Sequence, residues 1–128
     1  MKIVNKLNPE DVYSPEGVKL FSFNELACRS SGIYAFHGNF LDELIKLRIV
    51  LNKPMSITSA CRSLEHNTKI GGHPRSLHIY DKPIRENQKG GLAVDVKSQG
   101  AGYNLELIKC ALDLGWSVGV AKTFIHLD

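Results

Sequence analysis

The closing stretch Gly91–Asp128, GLAVDVKSQGAGYNLELIKCALDLGWSVGVAKTFIHLD, holds the reading on which the fold turns. Leu92–Val96 is apolar enough for a central strand, although Asp95 interrupts it. Asn104 is placed to cap a helix through Leu105, Ile108 and Leu112, which Gly115 closes. Trp116–Val120 and Phe124–Leu127 read as two short strands around Ala121-Lys122-Thr123. Upstream, Ser76–Tyr80 and the alternating Met55-Ser56-Ile57-Thr58 read as further strands. The strongest helix spans Asn39 to Asn52, where Phe40, Leu44, Leu47 and Leu51 recur at helical spacing before Asn52 and Pro54 stop it. Ser22 and Glu25 form a capping box for a short helix over Phe23–Cys28. Ser63 starts another, which ends at Gly71-Gly72. Residues 1–21 read as irregular, with turns at Asn8-Pro9 and Ser14-Pro15. Helices first, then strands with one late helix, predict an α+β fold with a mainly antiparallel sheet.

Composition narrows the function classes. The 128 residues carry neither repeats nor low-complexity tracts and are expected to form one domain over residues 1–128. Sixteen Lys+Arg against thirteen Asp+Glu leave a net charge of +3. That excess lies between Arg62 and Lys89, where six basic residues meet three acidic ones, while the remainder balances. So modest and local an excess is weak evidence for nucleic acid, which calls for a longer basic stripe, and fits a small anionic ligand equally well. Cys28, Cys61 and Cys110 are odd in number and widely spaced, which argues against a disulfide framework or a cysteine zinc site. No run approaches the ~18 apolar residues of a membrane helix. The N-terminus lacks a signal-peptide core, so synthesis in the cytoplasm is expected.

Three polar residues stand out because each sits in an apolar run. They are His78 in Ser76-Leu77-His78, Asp95 in Leu92–Val96, and His126 in Phe124-Ile125-His126-Leu127-Asp128. A carboxylate in such a run is costly unless it is paired or bound to metal. Two imidazoles with one carboxylate is the ligand set of a catalytic zinc. Satisfied core histidines and an Asp bonded to backbone are the alternative.

The run Ile57-Thr58-Ser59-Ala60-Cys61-Arg62-Ser63-Leu64-Glu65-His66-Asn67, then Gly71-Gly72, Ser76-Leu77-His78, Gly91-Leu92-Ala93-Val94-Asp95 and Phe124-Ile125-His126-Leu127-Asp128, adds a second line of argument. In order, these blocks resemble the zinc D-Ala-D-Ala carboxypeptidase-like peptidases of the Hedgehog/DD-peptidase fold, a family with many phage and prophage enzymes that cut peptidoglycan stem peptides. The resemblance covers residues 38–128. It implies one Zn2+ held by His78, Asp95 and His126, with Arg62 facing the substrate and Ser76 beside it. It also implies a peptidoglycan peptide as partner, cleavage by a carboxypeptidase or an endolysin-like endopeptidase, and action on the cell wall after release or delivery. A monomer with no nucleic-acid partner is expected.

Two departures from the family pattern matter. Sixteen residues separate His78 from Asp95 where relatives have six, which leaves a polar insertion over 81–91. A hairpin accommodates it at small entropic cost, and two expectations stand side by side: a mobile basic loop that borders the cleft and selects substrate, or a tolerated surface excursion. Many relatives carry the general base, a Glu, three residues before the last His, where this chain has Thr123. Asp128 takes its place, as general base or by orienting His126. His66 is expected to brace its helix, His73 to lie on an exposed loop, and His37 to be structural or exposed. Glu65 and Asp81 stay in reserve for acid–base work, while the Phe40/Leu44/Leu47/Leu51 stripe and Trp116 read as core. A zinc-bound but non-catalytic binding module is the competing function, and a metal-free nucleic-acid binder is a third.

Overall fold

A computed structural model describes residues 2–4 and 11–128; Asn8-Pro9 lies outside them. Its centre is a four-stranded antiparallel sheet in the order β5-β6-β8-β7, from β5 (Ile57–Ser59), β6 (Val94–Lys97), β7 (Val118–Val120) and β8 (Phe124–Leu127). Val94, Val96, Ile125 and Leu127 are fully buried on one face. Side chains alternate along a strand, so Asp95 and His126 project from the other face, directly opposite each other in the β6–β8 register. The α+β architecture with antiparallel pairing is as expected.

The apolar face is covered by α2 (Phe40–Leu51) and α4 (Ala101–Asp113), which pack against each other. Phe40, Leu44, Leu47 and Leu51 are all buried, as their spacing predicts, and Asn52 ends α2 in the left-handed conformation. The capping box forms as read: the Ser22 hydroxyl accepts from the Glu25 N–H, and the Glu25 carboxylate accepts from the Ser22 N–H. It opens α1 (Phe23–Leu26), which packs on β5. A ladder of aromatic contacts runs from Phe23 through Tyr34, Phe36 and Phe40 to Trp116, with ring centroids 5.2–5.7 Å apart. Ser63 caps α3 (Leu64–Lys69) by accepting from the His66 N–H, and Gly71 follows in the left-handed region. No helix among the described residues is long and apolar enough to cross a membrane.

Several expectations need correcting. Residues 1–21 are not irregular throughout: β1 (Lys2–Val4) pairs with β4 (Tyr34–Phe36), and β2 (Val12–Tyr13) pairs with β3 (Lys19–Phe21) across the Ser14-Pro15 turn. Ser76–Tyr80 is not a strand. The Ser76 hydroxyl accepts from the His78 N–H and the Ile79 N–H bonds the Ser76 carbonyl, so local bonding after Pro74 turns the chain. Only an isolated bridge between Arg62 and Ile79 remains of the expected ladder. Helix α4 begins before Asn104, after Gly100 at φ 94°. From inside the first turn, Asn104 accepts from the Gln99 N–H and donates to the Ser98 hydroxyl. The helix buries Leu107 and Ala111, while Leu105 and Leu112 are exposed.

This contrast between faces is measurable. Leu44→Ala should cost about 2–5 kcal/mol of unfolding free energy, because it empties a fully buried site. Leu105→Ala should stay within about 0.5 kcal/mol of wild type, because that side chain is 68% exposed. Urea denaturation of the two variants decides the assignment.

Candidate metal centre

Each arm of the centre arrives by a different local device. The β6–β8 register brings His126 Nδ1 to 2.8 Å from Asp95 Oδ1. Across the other edge of His126 stands Gly119, its register partner on β7, where an added Cβ would come within 3.4 Å of the His126 side chain. His78 comes from the turn after Pro74 and lies with its Nε2 3.2 Å from the same Asp95 oxygen. The two imidazole rings meet nearly edge-on, with centroids 5.3 Å apart.

Proton placement follows from the partners. His78 Nδ1 sits 2.5 Å from the Ala60 carbonyl, and a carbonyl can only accept, so Nδ1 carries the hydrogen. Were Nε2 unprotonated, His78 would point a lone pair at a carboxylate oxygen. His126 faces a carboxylate on both sides, with Nε2 3.0 Å from Asp128 Oδ2. Without a cation, both arrangements need an extra proton between electron-rich atoms. The hydrogen bond to Asp95, opposed by burial and reinforced by Asp128, raises the His126 pKa above its usual value. Burial pushes Asp95 upward, but hydrogen bonds from His126 and His78 outweigh it and hold the carboxyl at about 2. A divalent cation is the natural occupant. One donor atom from each of His78, Asp95 and His126 lies within 4.8 Å of the others, and the three residues could hold a metal ion.

A family model described as Peptidase M15 matches residues 19–128. The chain belongs to the M15 peptidase family. No curated protein and no solved structure matches it. M15 peptidases are zinc peptidases, so the donor set of this chain and the metal of its family agree.

In this M15 peptidase Arg62 is turned inward, with its Nη2 3.6 Å from Asp95 Oδ2. Its Nε donates to the Ser59 hydroxyl and its Nη1 to the Asn67 carboxamide, both at 3.0 Å. Neither Ser59 nor Asn67 is marked by its sequence context as a partner of Arg62; only the fold brings them to its guanidinium. Gly72 leaves room for this arrangement, since a Cβ there would collide with the Asn67 carboxamide. Asn67 also donates to the His73 carbonyl, so the glycine, the amide and the arginine lock together. Ser76 spends its hydroxyl on the His78 N–H. Asp81 accepts from the Leu64 N–H at the start of α3, and Glu65, His66 and His73 stand outside the donor cluster. Cys28 and Cys61 are buried free thiols, and burial pushes the Cys61 thiol up to about 12.

The 81–91 insertion is not the mobile hairpin expected. Gln88 is only 6% exposed, and its carboxamide uses every hydrogen-bonding position. The oxygen accepts from the N–H groups of Ile84 and Arg85, and the nitrogen donates to the carbonyls of Ile79 and Gly90. Gly90, at φ 148°, lies so close to the Phe36 and His37 backbone that a Cβ would fall within 2.6 Å of it. The Lys89 N–H donates to His37 Nδ1 and the Gly91 N–H to the Ala35 carbonyl. Sequence reading missed Gln88 because its partners are backbone groups of a loop that only the fold brings together. Gln88→Ala should cost about 2–6 kcal/mol, from four lost bonds at about 0.5–1.5 kcal/mol each. It should also deprotect the amides of Ile84 and Arg85 in hydrogen exchange; unchanged protection would contradict the anchoring.

Proposed function

We propose that the chain is a zinc-dependent peptidase hydrolysing an amide bond in a peptidoglycan stem peptide or cross-link. One zinc ion would be held by His78 Nε2, an Asp95 carboxylate oxygen and His126 Nδ1. The observation that carries this reading is the convergence of two imidazole nitrogens on one buried carboxylate, each nitrogen backed by an acceptor on the far side of its ring. Such backing fixes the tautomer and the aim of a metal-binding histidine. Bound there, zinc would lower the pKa of a coordinated water toward about 7 and polarise the scissile carbonyl.

The remaining roles belong to the chain's own groups. Arg62 neutralises the outer Asp95 oxygen and presents a guanidinium edge, held by Ser59 and Asn67, to a substrate carbonyl or carboxylate. Asp128 offers two oxygens with different duties. Oδ2 accepts from His126 Nε2–H, and Oδ1, 4.0 Å from Arg85 Nη2, accepts and returns the proton moved during hydrolysis. Ser76 positions His78 through its backbone N–H. The peptidoglycan assignment rests on the resemblance of the motif blocks and on the basic residues around the centre. A zinc-bound module without turnover is the second reading, favoured by exposed Thr123 where many relatives carry a glutamate.

Two experiments test the proposal. Metal analysis should find one zinc per chain, and digestion of purified cell wall should release peptide fragments, visible by mass spectrometry, that vanish on chelation and with His78→Ala. Binding without release would favour the second reading. In Asp128→Asn the amide oxygen still accepts from His126, so zinc affinity should change little while kcat at saturating zinc falls by about 10²–10⁴-fold. Asp128→Ala should lose zinc affinity as well, by about 10–100-fold. Full turnover by zinc-saturated Asp128→Asn would remove the acid–base role.

A further inference from the structure

A cavity of about 300 Å³ opens beside the metal centre and meets it at Asp128, which lines both. Its walls are apolar, built from Phe40, Trp116, Leu92 and Leu114, with the Phe40 and Trp116 rings edge to face at 5.3 Å. Two carboxylates border it and neither lysine nor arginine does. Asp128 is already engaged by His126, with Arg85 nearby. Glu43, half-buried on the first turn of α2, has no ion pair or side-chain hydrogen bond among the described residues. His37 completes the rim: its Nδ1 accepts from the Lys89 N–H, which leaves Nε2–H to donate outward.

We infer that this cavity is a specificity subsite for a peptide residue whose aliphatic side chain ends in a primary amine, a residue of the lysine class. The methylene stem lies against Phe40, Trp116, Leu92 and Leu114, where burial favours it. The ammonium meets the Glu43 carboxylate, which attracts it as an unpaired opposite charge at the cavity border. His37 Nε2–H donates to a carbonyl of the same peptide. A neutral side chain of equal length would bury its stem but leave Glu43 without a partner. An acidic one would be repelled by Glu43 and Asp128. The inference rests on the peptidase reading for its substrate class, while the chemistry of the cavity stands by itself. It also gives the inserted loop a function: the Gln88-anchored backbone sets the ring state of His37 at the rim.

Trp116 is the sole tryptophan of the chain, so its fluorescence reports on the cavity without any turnover. Zinc-loaded protein is titrated with Nα-acetyl-lysine amide, Nα-acetyl-norleucine amide and Nα-acetyl-glutamate amide. The lysine derivative should shift the emission saturably and bind at least tenfold more tightly than norleucine, with glutamate weakest. Glu43→Gln should bring the lysine-to-norleucine ratio close to one, and Glu43→Lys should invert the order of lysine and glutamate. Equal binding of lysine and norleucine, or a preference untouched in both Glu43 variants, overturns the inference. Matched peptides with lysine or norleucine at one position separate the two readings. If lysine binds selectively but no peptide is cleaved, the peptidase reading fails and the subsite stands. If both peptides are cleaved with the same KM, the subsite fails and the peptidase stands.

Discussion

A carboxylate that is 6% exposed in the middle of an apolar strand must be answered by positive or hydrogen-bonding groups, and the structure around Asp95 is organised by that requirement. One of its oxygens takes His126 from the neighbouring strand and His78 from a turn, and the other takes Arg62. Each of these partners has its own support: Asp128 behind His126, the Ala60 carbonyl behind His78, and Ser59 and Asn67 around Arg62. The result is a centre in which nearly every polar atom has one partner inside and one outside. Removing Asp95 would therefore leave two histidines and an arginine facing each other, which gives this single residue its weight.

The sheet supplies the rigidity the centre needs. Val94, Val96, Ile125 and Leu127 bind β6 and β8 to the helical layer on one face, so Asp95 and His126 are aimed from the other face by strands that cannot rotate. The less regular segment from Arg62 to Gly91 then closes over that face, held by side chain-to-backbone bonds in place of a ladder. Gln88 and Asn67 are its two fasteners, each an amide with donors and acceptors spent on loop groups. A long insertion between His78 and Asp95 is compatible with a fixed ligand geometry because its ends are stitched to Ala35, His37 and Ile79 before it reaches the centre.

The charge distribution also gains meaning. Of the basic excess between Arg62 and Lys89, Arg62 is drawn into the centre and Arg85 approaches Asp128, while the adjoining cavity is bordered by carboxylates. Trp116 and Phe40 read as core residues from their pattern, and they are buried, yet the same rings form a cavity wall. Burial and ligand contact are compatible wherever the core reaches the surface.

The sequence by itself determined the α+β class, the long helix with its buried stripe and the capping box at Ser22, and it singled out the three residues that the fold brings into one donor cluster. These depend on periodicity, on caps within a few residues, and on the cost of polar groups in apolar runs, all of which act locally along the chain. Tertiary structure alone decided that Ser76–Tyr80 turns instead of pairing, and that α4 buries Leu107 and Ala111 while Leu105 and Leu112 face water. It likewise decided that Gln88 pins the insertion and that Glu43, His37 and Trp116 meet beside Asp128. Each of those outcomes depends on which groups from distant parts of the chain arrive within a hydrogen-bond length or a van der Waals contact. Such proximity is a property of the closed fold, and no local pattern encodes it.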